Sequence, residues 1–393
     1  MKTYDLAVVG AGLAGTMAAV AAVEAGLDTV VLEKGHGPGD RRNLVNGWLG
    51  RALYTMTRLD VGNICLEPRS VAAFNTVFEL CRDANGGKLE RHLGGSHILS
   101  EDLPLQALAR LYYSADAECG RELAQRLHKR LLVPGKTDLL FGAEVERAEW
   151  DGSRFLLHTR RGRLAAARCM VATGGHSAEW IRLLCASVGI EPAAAHARLG
   201  VRVEVPERLL RTFLRVAGDL CLSNGDVVMD DMRVGSMVGD REDEGLLSAF
   251  AHTLSGHRAE RISFMVSLDF GTDLSELARI VRIVNILSND KVKRERAADF
   301  VDGHSALKHV EQFDPVRAAL RDLDRMVPSL LGYATVYIPE MRIGGVLPVD
   351  EKMRTAFSGL YGAGECVSRV DGLLDAMVSA LASAQSVMED RNG

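Results

Sequence analysis

Three glycines at fixed spacing, Gly10, Gly12 and Gly15, and the acidic residue Glu33 are the positions of this chain best suited to chemistry. Gly10 permits a tight strand-to-helix turn, Gly12 lets the backbone approach a pyrophosphate, and Gly15 lets helix and strand pack closely. Leu13 and Ala14 complete the Gly-x-Gly-x-x-Gly turn. Free amides and the positive dipole end of a helix there favour an anion. Glu33 stands where a carboxylate accepts hydrogen bonds from ribose hydroxyls, and its charge repels a 2′-phosphate. The pattern implies a dinucleotide other than NADP, and these residues leave open which one.

The elements that position them are legible around the motif. An apolar run at residues 6–9, an Ala-rich helical segment ending at Gly26 and a second apolar run at 29–32 make one β-α-β unit. A Gly-rich, basic loop follows to residue 51. In it Arg41 and Arg42 can pair with phosphate, Gly47 and Gly50 can let backbone pass against a flat ring, and Lys34 and Asn43 are further cofactor-binding candidates.

Apolar residues recurring at three and four predict amphipathic helices over 71–83 and 103–132, with glycine pairs at 86–87 and 94–95 marking turns. Residues 144–171 read as three antiparallel strands, with a two-residue hairpin at Asp151-Gly152 and a second turn at Arg161-Gly162. The last of these strands runs into Ala172-Thr173-Gly174-Gly175, small residues that suit close approach of backbone to a ligand. A helix over 176–190 and a strand over 199–205 follow. Between 207 and 340 the spacing predicts strands at 262–270 and 334–338 and helices at 273–287 and 314–326. The chain closes with Gly364-Glu365 at a strand end and a helix over 372–388.

With 47 basic and 52 acidic residues the net charge is −5, which argues against a general affinity for nucleic acid or an anionic membrane. The apolar stretch at 6–23 is interrupted by Gly and Thr and preceded by Asp5, so it reads as neither a signal segment nor a membrane span, and a cytoplasmic location is expected. Seven cysteines without a Cys-x-x-Cys spacing suggest reduced, buried thiols rather than disulfides or zinc.

The separated pieces, in this order, resemble the flavoprotein fold typified by glutathione reductase and fumarate reductase. More narrowly, the chain resembles a mostly uncharacterised bacterial family of FAD-utilising dehydrogenases. The resemblance is carried by residues 5–33, Val45-Asn-Gly-Trp-Leu-Gly50, Ala172-Thr-Gly-Gly175 with Ala178-Glu-Trp180, Leu199-Gly-Val-Arg-Val-Glu-Val-Pro206, Gly344-Gly-Val346 and residues 359–365. It implies an α/β fold, with a Rossmann-like FAD-binding domain (a parallel sheet plus a three-stranded β-meander) and an inserted α+β substrate domain. The expected division is 1–70, 135–200 and 341–393 for FAD, a helical segment at 71–134, and an inserted cap domain at 201–340.

The resemblance further implies that Gly10–Gly15 hold the pyrophosphate, Glu33 the adenosine ribose, and the Val145 main chain the adenine. Ala172, Thr173 and Gly174 would close over the nucleotide, Gly364-Glu365 would meet the ribityl region, and Gly345 would pass beside the ring. The N-terminus of the last helix, Gly372-Leu373-Leu374, would face the flavin pyrimidine, where its dipole stabilises negative charge. No motif for covalent attachment is present, so FAD is expected to be held non-covalently.

The function expected is an FAD-dependent oxidoreductase, a dehydrogenase or reductase that transfers hydride between a small organic substrate and FAD. The alternatives are an FAD-dependent oxidase or monooxygenase, and an RNA-modifying flavoprotein. A single Gly-x-Gly-x-x-Gly leaves no dedicated nicotinamide domain, so electrons come from the substrate, from transient NAD(P)H or from an electron-transfer partner. Two residues are candidates for catalysis: Arg342, which could bind a substrate carboxylate bidentately, and Cys221, a candidate redox thiol.

Overall fold

In the computed structural model, the described residues are 2–35, 56–94, 103–116, 118–132, 135–175, 177–217, 219–243, 245–253, 260–370 and 372–392. The expected site residues Arg41, Arg42, Asn43, Gly47 and Gly50 lie outside them. The chain divides into two units: residues 1–90, 113–195 and 344–393 form the first, and 91–112 with 196–343 the second.

The first unit is built on a parallel sheet in which Thr137–Phe141, Thr29–Glu33, Thr3–Val9 and Gly162–Val171 lie side by side. Register pairs Val8 with Val31 on one side and with Met170 on the other. The strand Gly162–Val171 is long enough to serve two partners on its other edge. Its first half pairs antiparallel with Phe155–Thr159 in the meander, and its last three residues pair parallel with Leu360–Gly362. One strand thereby joins the meander to the sheet and ends beside the C-terminal Gly-Ala-Gly turn.

Helix Leu13–Glu24 is apolar on every side and packs against the final helix, Gly372–Asn392. Such a helix belongs inside a protein rather than on its surface. Its small residues Ala14, Ala18 and Ala22 share one core with Met377, Ala380, Ala384 and Val387. Val71–Ala84 and Cys119–Leu131 pack as amphipathic helices against that same core, through Val77, Cys81, Leu123 and Leu127.

The second unit is an antiparallel sheet in the order Lys293–Arg296, Thr335–Ile343, Ala197–Pro206, Arg261–Gly271, Val227–Val234, Leu222–Ser223, Gln106–Ala107. Alternation along Ala197–Pro206 sends Leu199, Val201, Val203 and Val205 into a core shared with helices Leu274–Leu287 and Asp314–Met326. Arg198, Gly200, Arg202 and Glu204 point to the opposite face.

Three expectations from the sequence are corrected. Residues 103–114 are not helical: Gln106–Ala107 pairs with Leu222–Ser223 and Arg110–Ser114 is a strand, so the helix is confined to Cys119–Leu131. The threefold spacing of Leu105, Leu108 and Leu111 was coincidental, since Leu105 is buried while Leu111 is half exposed, and sheet pairing prevails over local spacing. The loop at Asp151 spans residues 151–154, because Trp150 pairs with Phe155. There the Asp151 carboxylate accepts the amides of Ser153 and Arg154 at 3.0 Å each, a turn held by a side chain. The second unit also carries strands at Val227–Val234, where Asp230, Asp231 and Arg233 interrupt the apolar pattern, and at Ser236–Asp243 and Leu246–Thr253, which pair with each other as a hairpin.

Candidate functional site

In the first unit the glycine motif works through backbone contact. Gly10 has φ +104°, a side chain there would meet Ala172 O at 2.5 Å, and its amide donates to Leu32 O at 2.8 Å. A β-carbon on Gly15 would fall 1.9 Å from Gly10 O. The turn therefore lies against both neighbouring strands at once. Gly12 caps Leu13–Glu24 without a side-chain hydrogen bond, and no acidic residue occupies the first turn. The leading amides of that helix are thus left to an anion.

Glu33 is 7% exposed and its carboxylate is already engaged at the turn. Oε2 accepts the Ala11 amide at 3.0 Å and Oε1 accepts the Gly35 amide at 2.8 Å. The Glu33 carbonyl accepts the Ala143 amide at 2.8 Å, which brings buried Val145 to the same sheet end, while Lys34 is exposed beside it.

The end of strand Gly162–Val171 closes the other side. Ala172 donates to Val9 O at 2.8 Å and Ala363 donates to Val171 O at 2.9 Å, so the three strand ends converge. Thr173 Oγ1 is buried without a hydrogen-bond partner among the described residues, and Gly174 follows at φ +76°. A buried hydroxyl in that state calls for a partner beyond the described residues. Gly364, at φ +76°, would place a β-carbon 2.9 Å from Ala14 Cβ, and its amide donates to Ser379 Oγ at 2.9 Å. Gly345 runs against the Cys366 backbone, where a β-carbon would lie 2.1 Å from the Cys366 carbonyl carbon. The Cys366 thiol donates to Val171 O at 3.2 Å, and burial pushes its pKa up to about 11.

At the start of the final helix Gly372 has φ +85°, Leu373 is half-buried and Leu374 buried. Asp375, fully buried in the first turn, accepts the amides of Ile64 and Cys65 at 3.1 and 3.0 Å. Glu365 is exposed.

The first unit thus gathers Gly10, Gly12, Leu13, Ala14, Gly15, Glu33, Val145, Ala172, Thr173, Gly174, Gly345 and Gly364 around the ends of its parallel strands. Ser379 and Cys366 were not legible as partners, because serine and cysteine in a small-residue helix or turn look like packing residues, and Asp375 was not because its partners, the Ile64 and Cys65 amides, are distant in sequence. These features suit a dinucleotide: uncapped amides, a backbone cradle that side chains would fill, and the Thr173 hydroxyl, which has no partner among the described residues.

In the second unit Arg342 makes an ion pair with Asp231 and its side chain is 41% exposed. Asp231 lies at a register irregularity with φ +50° and is shared by three guanidiniums, since Arg202 reaches Oδ2 at 2.7 Å and Arg233 reaches Oδ1 at 2.9 Å. Burial alone would raise the Asp231 carboxyl, but Arg233, Arg342 and Arg202 hold it well below the usual carboxylate range. Arg202, 1% exposed, also donates from Nε to Glu340 at 2.7 Å. Asp230 holds Arg198 through two bonds of 2.8 and 3.1 Å. Cys221 is 3% exposed, next to the short strand Leu222–Ser223. Three strands separate that strand from the one carrying Arg342, so the two catalytic candidates are not brought together.

A family model described as an FAD binding domain matches residues 5–56. The digeranylgeranylglycerophospholipid reductase of Methanosarcina mazei is 30% identical over 118 residues, a match covering 29% of this chain and 28% of that reductase. Glycine oxidase from Geobacillus kaustophilus superposes over 99% of this chain and 95% of its own with a TM-score of 0.51 at 16% identity. NikD, an amino acid oxidase essential for nikkomycin biosynthesis, superposes over 99% and 95% with a TM-score of 0.51 at 12% identity. Among the described residues no helix is long and apolar enough to cross a membrane. The strand order, the glycine turn and the whole-chain likeness converge: the chain carries the FAD-binding fold of the glutathione reductase and fumarate reductase-like flavoproteins.

Proposed function

We propose that the protein is an FAD-dependent oxidoreductase that moves hydride between a small organic substrate and non-covalently held FAD. The observation that carries this reading is the double lock around Ala11 and Ala14. The Glu33 carboxylate holds the Ala11 amide on one side, and on the other Gly364 passes close enough to Ala14 that an added β-carbon would lie 2.9 Å from Ala14 Cβ. One turn is thus shared by the elements that would hold the two ends of the cofactor.

The leading amides of Leu13–Glu24 would hold the pyrophosphate, Glu33 the ribose, and Thr173 would offer a hydroxyl that has no partner among the described residues. Gly345, and Gly372 with Leu373 and Leu374, line the ring end. When bound, FAD supplies the hydride chemistry. Arg342 orients an anionic group of the substrate, because a guanidinium presents a planar fork to two oxygens. With one dinucleotide motif in the chain, electrons are supplied by the substrate, by transient NAD(P)H or by a partner protein.

The test is direct. The purified protein is expected to be yellow, to release one FAD per chain on acid precipitation, and to bleach anaerobically with its reductant. A colourless protein that takes up NAD but not FAD would refute this function.

A further inference from the structure

Helix Leu274–Leu287 turns its inner face, Leu277, Ile280, Val281 and Val284, into the core of the second unit. Its outer face is not polar throughout. Ile283, Ile286 and Leu287 follow at the i, i+3, i+4 spacing that puts side chains on one surface, and they are 37%, 64% and 46% exposed. Single exposed apolar residues are ordinary, but this is the densest such group along the described residues, and grouped ones rimmed by charge mark a surface that another molecule covers.

Beside that group a cavity of about 260 Å³ opens between the helix and the hairpin of Ser236–Asp243 and Leu246–Thr253. Leu247, Asn285 and Ile286 line it together with Glu242, Arg282 and Asp290. Its shape is fixed by Asn285, which is 5% exposed: Oδ1 accepts the Leu247 amide and Nδ2 donates to the Leu247 carbonyl, each at 2.9 Å, so hairpin and helix are tied together.

Charge around the cavity is left unmatched within the chain. On the same helix Arg279 is paired with Glu276, three residues back. Arg282, Glu242 and Asp290 are exposed and line one cavity, yet they make no ion pair among the described residues. Asp290 is also unfavourably placed for an isolated chain. It carries negative charge just past a helix end, where the dipole favours a cation. It does so in the left-handed region at φ +53°, directly after Asn289 at φ +55°. Residues held in that region persist where the position has a use.

We propose that this face is the contact between two copies of the chain, related by a two-fold axis beside Ile286. A two-fold contact must be complementary to itself. Here apolar side chains stand beside a cavity suited to apolar side chains, and a guanidinium without an anion stands beside two carboxylates without a cation. With the two helices antiparallel, positions equally far before and after the axis meet, and Arg282 and Asp290 lie four residues either side of Ile286. Ile286 and Leu287 of each copy then enter the cavity of the other, while Arg282 of each reaches Asp290 and Glu242 opposite. A cationic partner would leave Arg282 opposed, and an acidic one would leave Asp290 and Glu242 opposed; a second copy satisfies all three. The contact is independent of the cofactor.

The test is sedimentation equilibrium of the purified protein over a concentration series. A contact centred on one helix belongs at the small end of specific interfaces, so a monomer–dimer dissociation constant on the order of 1–100 µM is expected. Ile286→Glu, Arg282→Glu and Asp290→Arg should each raise it by about tenfold or more, because every contact occurs twice about the axis and the reversals set like charges face to face. Arg325→Glu, on another helix, should leave it unchanged. The deciding sample mixes Arg282→Glu with Asp290→Arg. In the mixed dimer the reversed charges meet at one contact and the native charges at the other, so dimer should return at wild-type concentrations although neither variant dimerises there alone. That rescue shows at once that both variants are folded. Where a reversal fails to fold, Arg282→Gln and Asp290→Asn remove the charge alone and should weaken the dimer several-fold. A wild type still monomeric at about 300 µM, a dimer that none of the three variants weakens, or a mixture of folded variants that stays monomeric overturns the proposal.

Discussion

Glu33 and Ala11 are joined by a 3.0 Å hydrogen bond from the Ala11 amide to Oε2, which fastens the end of the second strand to the turn that follows the first. The other oxygen takes the Gly35 amide at 2.8 Å. The carboxylate thus has a structural duty of its own: it shapes the glycine turn whether or not a ribose is bound.

Replacing Glu33 with Ala should therefore destabilise the cofactor-free protein by about 1–3 kcal/mol, since two buried amides lose a charged acceptor. Urea midpoints of the apo form measure this directly. An unchanged midpoint with weakened FAD binding would mean that the carboxylate acts on ribose alone.

Gly15 and Gly26 separate space from conformation. Gly15→Ala should abolish FAD uptake, because the new β-carbon would stand 1.9 Å from Gly10 O and the turn cannot close. Gly26→Ala meets nothing within 4 Å, but its φ of +85° should cost about 1–2 kcal/mol with FAD content intact. Flavin-to-protein absorbance ratios distinguish the two, and a yellow Gly15→Ala protein would contradict the geometry.

Asp231 makes a pH dependence that can be checked without a substrate. Its carboxyl is held below the ordinary range, with burial opposing and Arg233, Arg342 and Arg202 prevailing. A depressed folded-state pKa contributes stability fully present above the unfolded value of about 4, and that stability is lost as pH falls through the lower folded value. Denaturant midpoints of wild type should accordingly fall on acidification below about pH 4, where the Asp231→Asn protein should show a shallower decline. At neutral pH Asp231→Asn should be less stable than wild type, because three guanidiniums share the lost charge. Parallel acid limbs in the two proteins would remove Asp231 as the source.

The sequence by itself determined the dinucleotide end of the molecule. The glycine spacing, the small-residue helix, Glu33, Thr173-Gly174 and Gly364 obey local rules, since each does its work within a turn or where consecutive elements meet, and the structure draws them together at one sheet end. The meander of residues 144–171 and the helices at 273–287, 314–326 and 372–388 were legible for the same reason: hydrophobic period and turn chemistry are properties of neighbouring residues.

The arginine face was decided only by tertiary structure. Arg198, Arg202, Asp230, Asp231, Glu340 and Arg342 come from three strands far apart in the chain, and their meaning depends on register, which sets Arg198 opposite Arg342. In the sequence they read as polar interruptions of strands, and Asp230, Asp231 and Arg233 hid a strand altogether. Residues 103–114 failed in the opposite sense, because pairing of Gln106–Ala107 with Leu222–Ser223 is a long-range bond that no local period encodes. Backbone turns write their requirements into adjacent residues, whereas charge networks across a sheet are set by which strands meet and at what register.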